Sequence, residues 1–321
     1  MQIVIIIFLK NNTMKKLPFK DILHTKQFSR DDLELIFETA RDMEKIISWE
    51  RPGKLLDGKI MASLFYEPST RTRMSFESAM KRLWGEVITV SDGSTSSLSK
   101  WETLEDNAKI TSIYSDILVV RHPEAGSVER TANAIKKPVI NAWDGPNQHP
   151  TQALLDVYTI HKERGKLDAL KIAIVWDLKF WRTTHSLCFL MGLFNNISFS
   201  FISPDELKMP EKVTDFLREK NIPYTETQSY EEWLKDADVL YVTRLQKERF
   251  SDMSEYEKLK DRFILTLDVL TSAKKDITIM HPLPRVNEVD FAVDALPNAA
   301  FFRQAENGVP IRMALLYLLL S

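Results

Sequence analysis

The segment "FYEPSTRTRMSFESA", residues 65–79, holds the densest chemistry in the chain. A strand is expected to end at Glu67, and Ser69-Thr70-Arg71-Thr72 to open a helix just after it. Free backbone N–H groups at a helix start, together with hydroxyls and a guanidinium, make a pocket for a phosphate or phosphonate group. Arg71 adds a bidentate fork that matches phosphate oxygens. Taken alone, the same four residues could equally be a Ser/Thr cap with a surface arginine. A second stretch, "IAIVWDLKFWRTTHSL" at 172–187, reads as a buried strand, a polar turn and a helix. In an open α/β sheet that turn is where a ligand sits. Two bulky side chains, Trp176 and Trp181, bracket the charge there, although close backbone approach is what such a site needs.

Side chains of this kind need rigid elements beneath them, and the pattern supplies these. Short apolar runs at 59–66, 86–91, 115–121 and 138–142 read as strands of a first half. Runs at 170–176, 198–204, 237–243 and 277–282 read as strands of a second. Amphipathic stretches such as 72–83 and 149–164 lie between them. Alternation of this kind predicts an α/β fold of two domains, each a parallel β-sheet flanked by helices. The boundary is expected near Pro150. Residues 14–150 would form the first domain and 151–304 the second, with an apolar C-terminal helix over 305–321 packing back on the first.

Length and charge narrow the function further. A chain of 321 residues is long enough for two domains. With 43 basic and 45 acidic residues the charge is nearly balanced, which argues against nucleic-acid or membrane-surface binding. The lone cysteine, Cys188, excludes an intrachain disulfide and a Cys-rich zinc site, and is consistent with a cytoplasmic, reducing compartment. The apolar run at the N-terminus is far shorter than the ~20 residues of a membrane span, and it lacks signal-peptide features. Met14, followed by Lys15 and Lys16, reads as the better start, with residues 1–13 an upstream extension.

The phosphate-pocket segment resembles the carbamoyl-phosphate signature of the aspartate/ornithine carbamoyltransferase family, Ser-x-Arg-Thr-Arg after a strand. Five further segments fall in that family's order and spacing: "VRHPEAGS" (120–127), "DGPNQHPTQALLD" (144–156), "DLKFWRTTHSL" (177–187), "VTRLQKERF" (242–250) and "MHPLPR" (280–285). The likeness runs from about residue 17 to the end. Ornithine-type members carry His-Pro-Cys-Gln and His-Cys-Leu-Pro segments. Here the corresponding runs are His149-Pro150-Thr151-Gln152 and His281-Pro282-Leu283-Pro284, the aspartate-type forms. A dicarboxylate needs cations and donors, and Arg182, Arg244 and Gln246 stand where the aspartate-type members bind it.

The resemblance implies carbamoyl transfer from carbamoyl phosphate to the amino group of L-aspartate, the second step of de novo pyrimidine synthesis, with no metal or organic cofactor. Ser69, Thr70, Arg71 and Lys100 would hold phosphate. Thr72, Arg121 and His149 would hydrogen-bond the carbonyl oxygen, and Gln152 with Leu283 and Pro284 would orient the carbamoyl NH₂. Lys100, with Ser97 near it, matches a loop that reaches into a neighbouring subunit's site, so a homotrimer with shared active sites is implied. Regulatory or pathway partner chains stay open. So do an ornithine-type or other amino-acid carbamoyltransferase and an inactive paralogue.

Glycine is scarce, at nine in 321 residues, about 3% against the usual ~7%. Five of the seven tryptophans, Trp84, Trp101, Trp143, Trp176 and Trp181, fall where the family carries glycine; Trp49 and Trp233 match no such position clearly. Overpacking costs ~1–3 kcal/mol per site, so five such sites could consume a total stability of only ~5–15 kcal/mol. Glycine encoded by UGA and read out as tryptophan accounts for both the excess and the deficit. A remodelled, tryptophan-rich site is the alternative.

Overall fold

The computed structural model describes residues 16–50, 52–93, 101–229, 234–246, 250, 253–259 and 263–321. Residues 1–13 and Met14, Ser97, Lys100 and Trp233 lie outside the described residues. The first half runs α1 (Arg30–Ile47), β1 (Ile60–Phe65), α2 (Thr70–Arg82), β2 (Glu86–Val90), α3 (Leu104–Tyr114), β3 (Ile117–His122), α4 (Ser127–Ala134) and β4 (Val139–Asp144). Helix α5 (Pro150–Arg164) then leads to β5 (Lys171–Val175), α6 (Arg182–Met191), β6 (Ser198–Ile202), α7 (Glu211–Glu219), β7 (Tyr224–Thr227) and β8 (Val239–Val242). The chain closes with α8 (Met253–Leu259), α9 (Leu267–Leu270), β9 (Thr278–Met280) and α10 (Phe301–Leu320).

The strands form two wholly parallel sheets, ordered β2-β1-β3-β4 and β7-β6-β5-β8-β9. Continuous apolar runs explain why. Ile117 and Val119 of β3 face one core while Leu118 and Val120 face another, and Ile172/Ile174 against Ala173/Val175 do the same on β5. A strand buried on both faces cannot alternate with polar residues, and helices must cover each side. One core runs through both sheets, from Met61 and Phe65 to Phe199 and Tyr241. Helix α5 passes through it with nearly every residue from Pro150 to Ile160 buried, and it packs on β4, α6, β9 and α10.

Three details differ from the sequence reading. Strand β1 stops at Phe65, two residues before Glu67, because Tyr66 and Glu67 turn toward Arg121 at the sheet's end. The C-terminal helix begins at Phe301 rather than 305, and packs on α1, α2 and α5. Edge strand β7 has only four residues and none is fully buried, so it carries no apolar run to find.

Tryptophan backbone conformations stand out. Among the described residues nine non-glycine residues have positive φ, and five of them are Trp49, Trp84, Trp101, Trp143 and Trp176. Trp84 occupies the left-handed position of a Schellman motif ending α2. Its N–H donates to Lys81 O at 3.0 Å, and that of Gly85 to Met80 O at 3.0 Å. Glycine is the usual occupant there, since an L side chain costs roughly 1–2 kcal/mol in that region. Trp181 differs, with an ordinary φ of −83° at the N-cap of α6.

Candidate active site

Strand ends aim the first half of the site. Parallel strands deliver their C-terminal residues to one edge of the sheet, and there lie Glu67 and Pro68 after β1, Arg121 near the end of β3, and His149 after β4. At the start of α2, Ser69 is extended (φ −156°, ψ 93°) and its hydroxyl makes no capping bond, so first-turn N–H groups face the cleft. The first turn holds Arg71 and no acidic residue. Helix α6 repeats this, opening on Arg182 with no acid in its first turn. Arginine is the wrong sign for the positive end of a helix. Two helix starts built this way in one cleft favour bound anions.

Burial sets the charge states. Desolvation lowers Arg71 and, to about 10, Arg121; the Arg244 guanidinium lowers Arg71 further, while Glu67, 3.8 Å from Arg121, opposes its shift. Arg121 therefore stays cationic at neutral pH. His149 is buried, and burial first, then Arg121 and Arg312, hold its imidazole well below the ordinary 6.5. Its Nδ1 has no protein hydrogen-bond partner. A neutral imidazole keeps one N–H to donate and one lone pair. The backbone N–H of His149 donates to Ser186 Oγ of α6 at 3.3 Å, pinning the first domain's helix start to the second domain.

The second half of the site comes from β5 and β8. Thr243 follows β8, and its Oγ1 accepts from Asp177 N at 2.9 Å, fastening the turn after β5 beside the end of β8. Asp177, pushed up to about 6 by burial, accepts from Phe180 N at 2.8 Å and so shapes the turn leading into Arg182. Arg182 and Arg244 thus face one cleft from neighbouring strand ends, with Gln246 beside them.

The segment 281–284 closes the remaining side. Leu283 N–H donates to His281 Nδ1 at 2.9 Å, so Nε2 carries the proton and donates to Glu288 at 2.7 Å. His281 N–H donates to Gln304 Oε1 at 2.9 Å. Leu283 takes a left-handed φ of 55° before a cis bond to Pro284.

These walls enclose a cleft of about 690 Å³. Ser69, Thr70, Arg71, Thr72, Arg121, His149, Gln152, Arg182, Arg244, Gln246, Leu283 and Pro284 all line it. Every expected site residue that the structure describes is therefore brought together, while Lys100 and the accompanying Ser97 lie outside the described residues. Sequence reasoning missed Glu67, Gln304 and Arg312. Arg312 is 3% exposed, donates to Ser75 Oγ at 2.8 Å and lies 5.0 Å over the Phe76 ring. An arginine inside the apolar run "VPIRMALLYLLL" was the available signal. Trp143 and Trp181 also line the cleft, stacked on Arg121 (4.2 Å) and Arg244 (5.4 Å).

Two parallel sheets share a cleft onto which two helix starts suited to anions open, the arrangement of a protein that holds two anionic ligands side by side. Comparison with known proteins narrows this. Residues 20–162 match the carbamoyl-P binding domain of aspartate/ornithine carbamoyltransferases, and residues 168–319 match their Asp/Orn binding domain, so the chain belongs to the aspartate/ornithine carbamoyltransferase family. The aspartate carbamoyltransferase catalytic subunit of Methanocaldococcus jannaschii is 49% identical over 297 residues, 92% of this chain and 96% of that one. A crystal form of the M. jannaschii catalytic subunit superposes with a TM-score of 0.88 at 48% identity, covering 94% of this chain and 98% of that chain. Aspartate transcarbamoylase of Trypanosoma cruzi, in complex with carbamoyl phosphate and aspartate, gives 0.89 at 39% identity, covering 94% and 97%.

Proposed function

We propose that this chain transfers the carbamoyl group of carbamoyl phosphate to the α-amino group of L-aspartate, giving N-carbamoyl-L-aspartate and phosphate. The carrying observation is the single cleft in which the α2 start, with Ser69, Thr70 and Arg71, faces Arg182, Arg244 and Gln246. One side suits a phosphoryl group and the other a dicarboxylate. Thr72, Arg121 and neutral His149 donate to the carbonyl oxygen, where negative charge builds in the tetrahedral intermediate. Gln152 and the Leu283-Pro284 backbone orient the carbamoyl NH₂.

The uncharged amine of aspartate attacks the carbonyl carbon, a C–N bond forms and the C–O bond to phosphate breaks. An imidazole held well below 6.5 is a weak proton acceptor, so the amine proton passes to a phosphate oxygen. Holding two anions in attack geometry supplies much of the acceleration. Lys100 completes the phosphate site from a neighbouring subunit of a homotrimer, and the enzyme works in the cytoplasm within pyrimidine synthesis.

Protein purified from its own cells should form carbamoyl aspartate from carbamoyl phosphate and L-aspartate, and no product when L-ornithine replaces aspartate. Turnover of ornithine, or none with aspartate, overturns the substrate assignment.

A further inference from the structure

We infer that positions 49, 84, 101, 143, 176 and 181 are glycine in the protein its own cell makes, each encoded by UGA read as glycine. Five tryptophans at positive φ carry the first part. L-residues that visit this region are chiefly Asn, Asp and His, yet Trp supplies five of the nine non-glycine examples among the described residues. These five span unrelated surroundings. Trp49 and Trp101 are 89% and 96% exposed, whereas Trp176 is buried. No packing demand is shared by such sites; a left-handed backbone is. Trp143 and Trp176, at φ of 129° and 97°, lie beyond the narrow left-handed basin near 57° that L side chains occupy. Trp49 belongs to the set although the sequence pattern did not place it there. It follows the C-cap of α1 at φ 64°, with its N–H donating to Ile46 O at 3.2 Å.

Trp181 needs separate grounds, because its φ is ordinary. It stands at an N-cap, where glycine is favoured and large side chains are not, and makes no side-chain capping bond. Its indole Nε1 is buried with no hydrogen-bond partner, an unusual state for tryptophan. Glycine at 143 and 181 also removes the rings stacked on Arg121 and Arg244. The cleft then widens beside the two guanidinium groups that face substrate in the proposed reaction.

Peptide mass spectrometry of protein isolated from its own cells tests this without any activity assay. Tryptic peptides 83–100, 101–109 and 172–179 each carry one of these positions. Each should weigh less than the tryptophan form by the difference between an indolylmethyl group and a hydrogen, and the gene should read UGA at all six positions. Tryptophan in these peptides, or UGG codons, overturns the inference; tryptophan at 181 alone overturns it for that position. In the tryptophan chain, Trp84→Gly should raise the melting temperature while Trp84→Ala does not, because Ala keeps a Cβ at positive φ. Equal effects of the two would place the strain in the ring and count against a glycine backbone.

A separate observation carries a second inference, which rests on the proposed reaction: Asp156 is a positioning residue that sets the two substrate sites relative to each other. Fully buried on α5, it accepts from Gln152 Nε2 (2.9 Å), Gln304 Nε2 (2.7 Å) and Tyr241 OH (2.8 Å). Gln152 lines the cleft, where it orients the carbamoyl NH₂ in the proposed reaction. Tyr241 lies on β8, three residues before Arg244. Gln304 holds His281 N–H and with it the 281–284 segment. One buried carboxyl group therefore joins walls of the cleft carried by α5, β8 and α10. Tyr241→Phe cuts only the tie to β8, and should raise the aspartate KM about threefold to tenfold, the weight of one buried hydrogen bond, with the carbamoyl phosphate KM unchanged. Asp156→Asn should raise both KM values and lower kcat. If these variants lose melting temperature but keep both KM values and kcat, the role is structural and the inference fails. Absence of carbamoyl transfer by the unsubstituted enzyme would instead remove the reaction itself.

Discussion

Arg121 shows how a single side chain is made useful by what surrounds it. Burial lowers its pKa to about 10, yet it stays charged, and Glu67 at 3.8 Å offsets part of the desolvation. A cation largely stripped of water makes stronger hydrogen bonds to a developing oxyanion than a surface arginine can. Arg121→Ala should lower kcat by roughly 10²–10³-fold, the usual loss of an oxyanion donor, with a smaller change in KM, read from initial rates with aspartate varied at saturating carbamoyl phosphate. His149 contributes as a neutral donor. Its pKa lies well below 6.5, so NMR titration of the ring should detect no protonation step near the ordinary histidine value, whereas a step there would assign it a cationic role.

At the scale of elements, the buried carboxylate on α5 links the sheets and carries a pH signature. Burial pushes Asp156 up to about 7 from 3.8. The folded state therefore holds this proton where the unfolded chain has released it, and stability must fall as pH rises from about 4 to about 7. The shift is worth roughly 3–5 kcal/mol across that window. Asp177, raised to about 6 by burial, acts in the same direction. Comparing urea unfolding of the unsubstituted protein with Asp156→Asn isolates the Asp156 part: the difference in stability should shift in favour of the variant as pH rises through the window. A difference independent of pH would show Asp156 ionised throughout.

For the whole molecule, the proposed trimer makes a prediction no single chain can. If Lys100 serves a neighbour's cleft, subunits carrying Lys100→Ala and subunits carrying His149→Ala are each nearly inactive alone. Mixed after mild dissociation, they should recover activity, because some sites then combine an intact Lys100 from one subunit with an intact His149 from another. No recovery on mixing would place both residues in one subunit's site. Family membership stands apart from this test, since it rests on both domain matches and on the 0.88 TM-score.

Much of this protein was legible in the amino-acid order alone. Apolar runs at 59–66, 115–121 and 170–176 had to become two-sided buried strands, because continuous hydrophobicity of strand length leaves no solvent face. Ser69-Thr70-Arg71-Thr72 read as a helix start, and its hydroxyls and Arg71 suited a phosphate, although taken alone a Ser/Thr cap with a surface arginine fitted them equally. Such features are local, fixed by residues a few positions apart. The rest depended on contacts between distant segments. Arg312 reaches Ser75 from 237 positions away, and Gln304 reaches Asp156 from 148. Arg312 stood out as a charge in an apolar run, but neither pairing carries a sequence mark, because a buried hydrogen bond is selected by geometry rather than spacing. The tryptophans divide along the same line: four of the five positions expected to be glycine do have positive φ, while Trp49 was recognisable only once its φ was known and Trp181 has an ordinary φ at an N-cap. Backbone handedness at a helix end is set by where the chain must go next, and that direction exists only in the folded molecule.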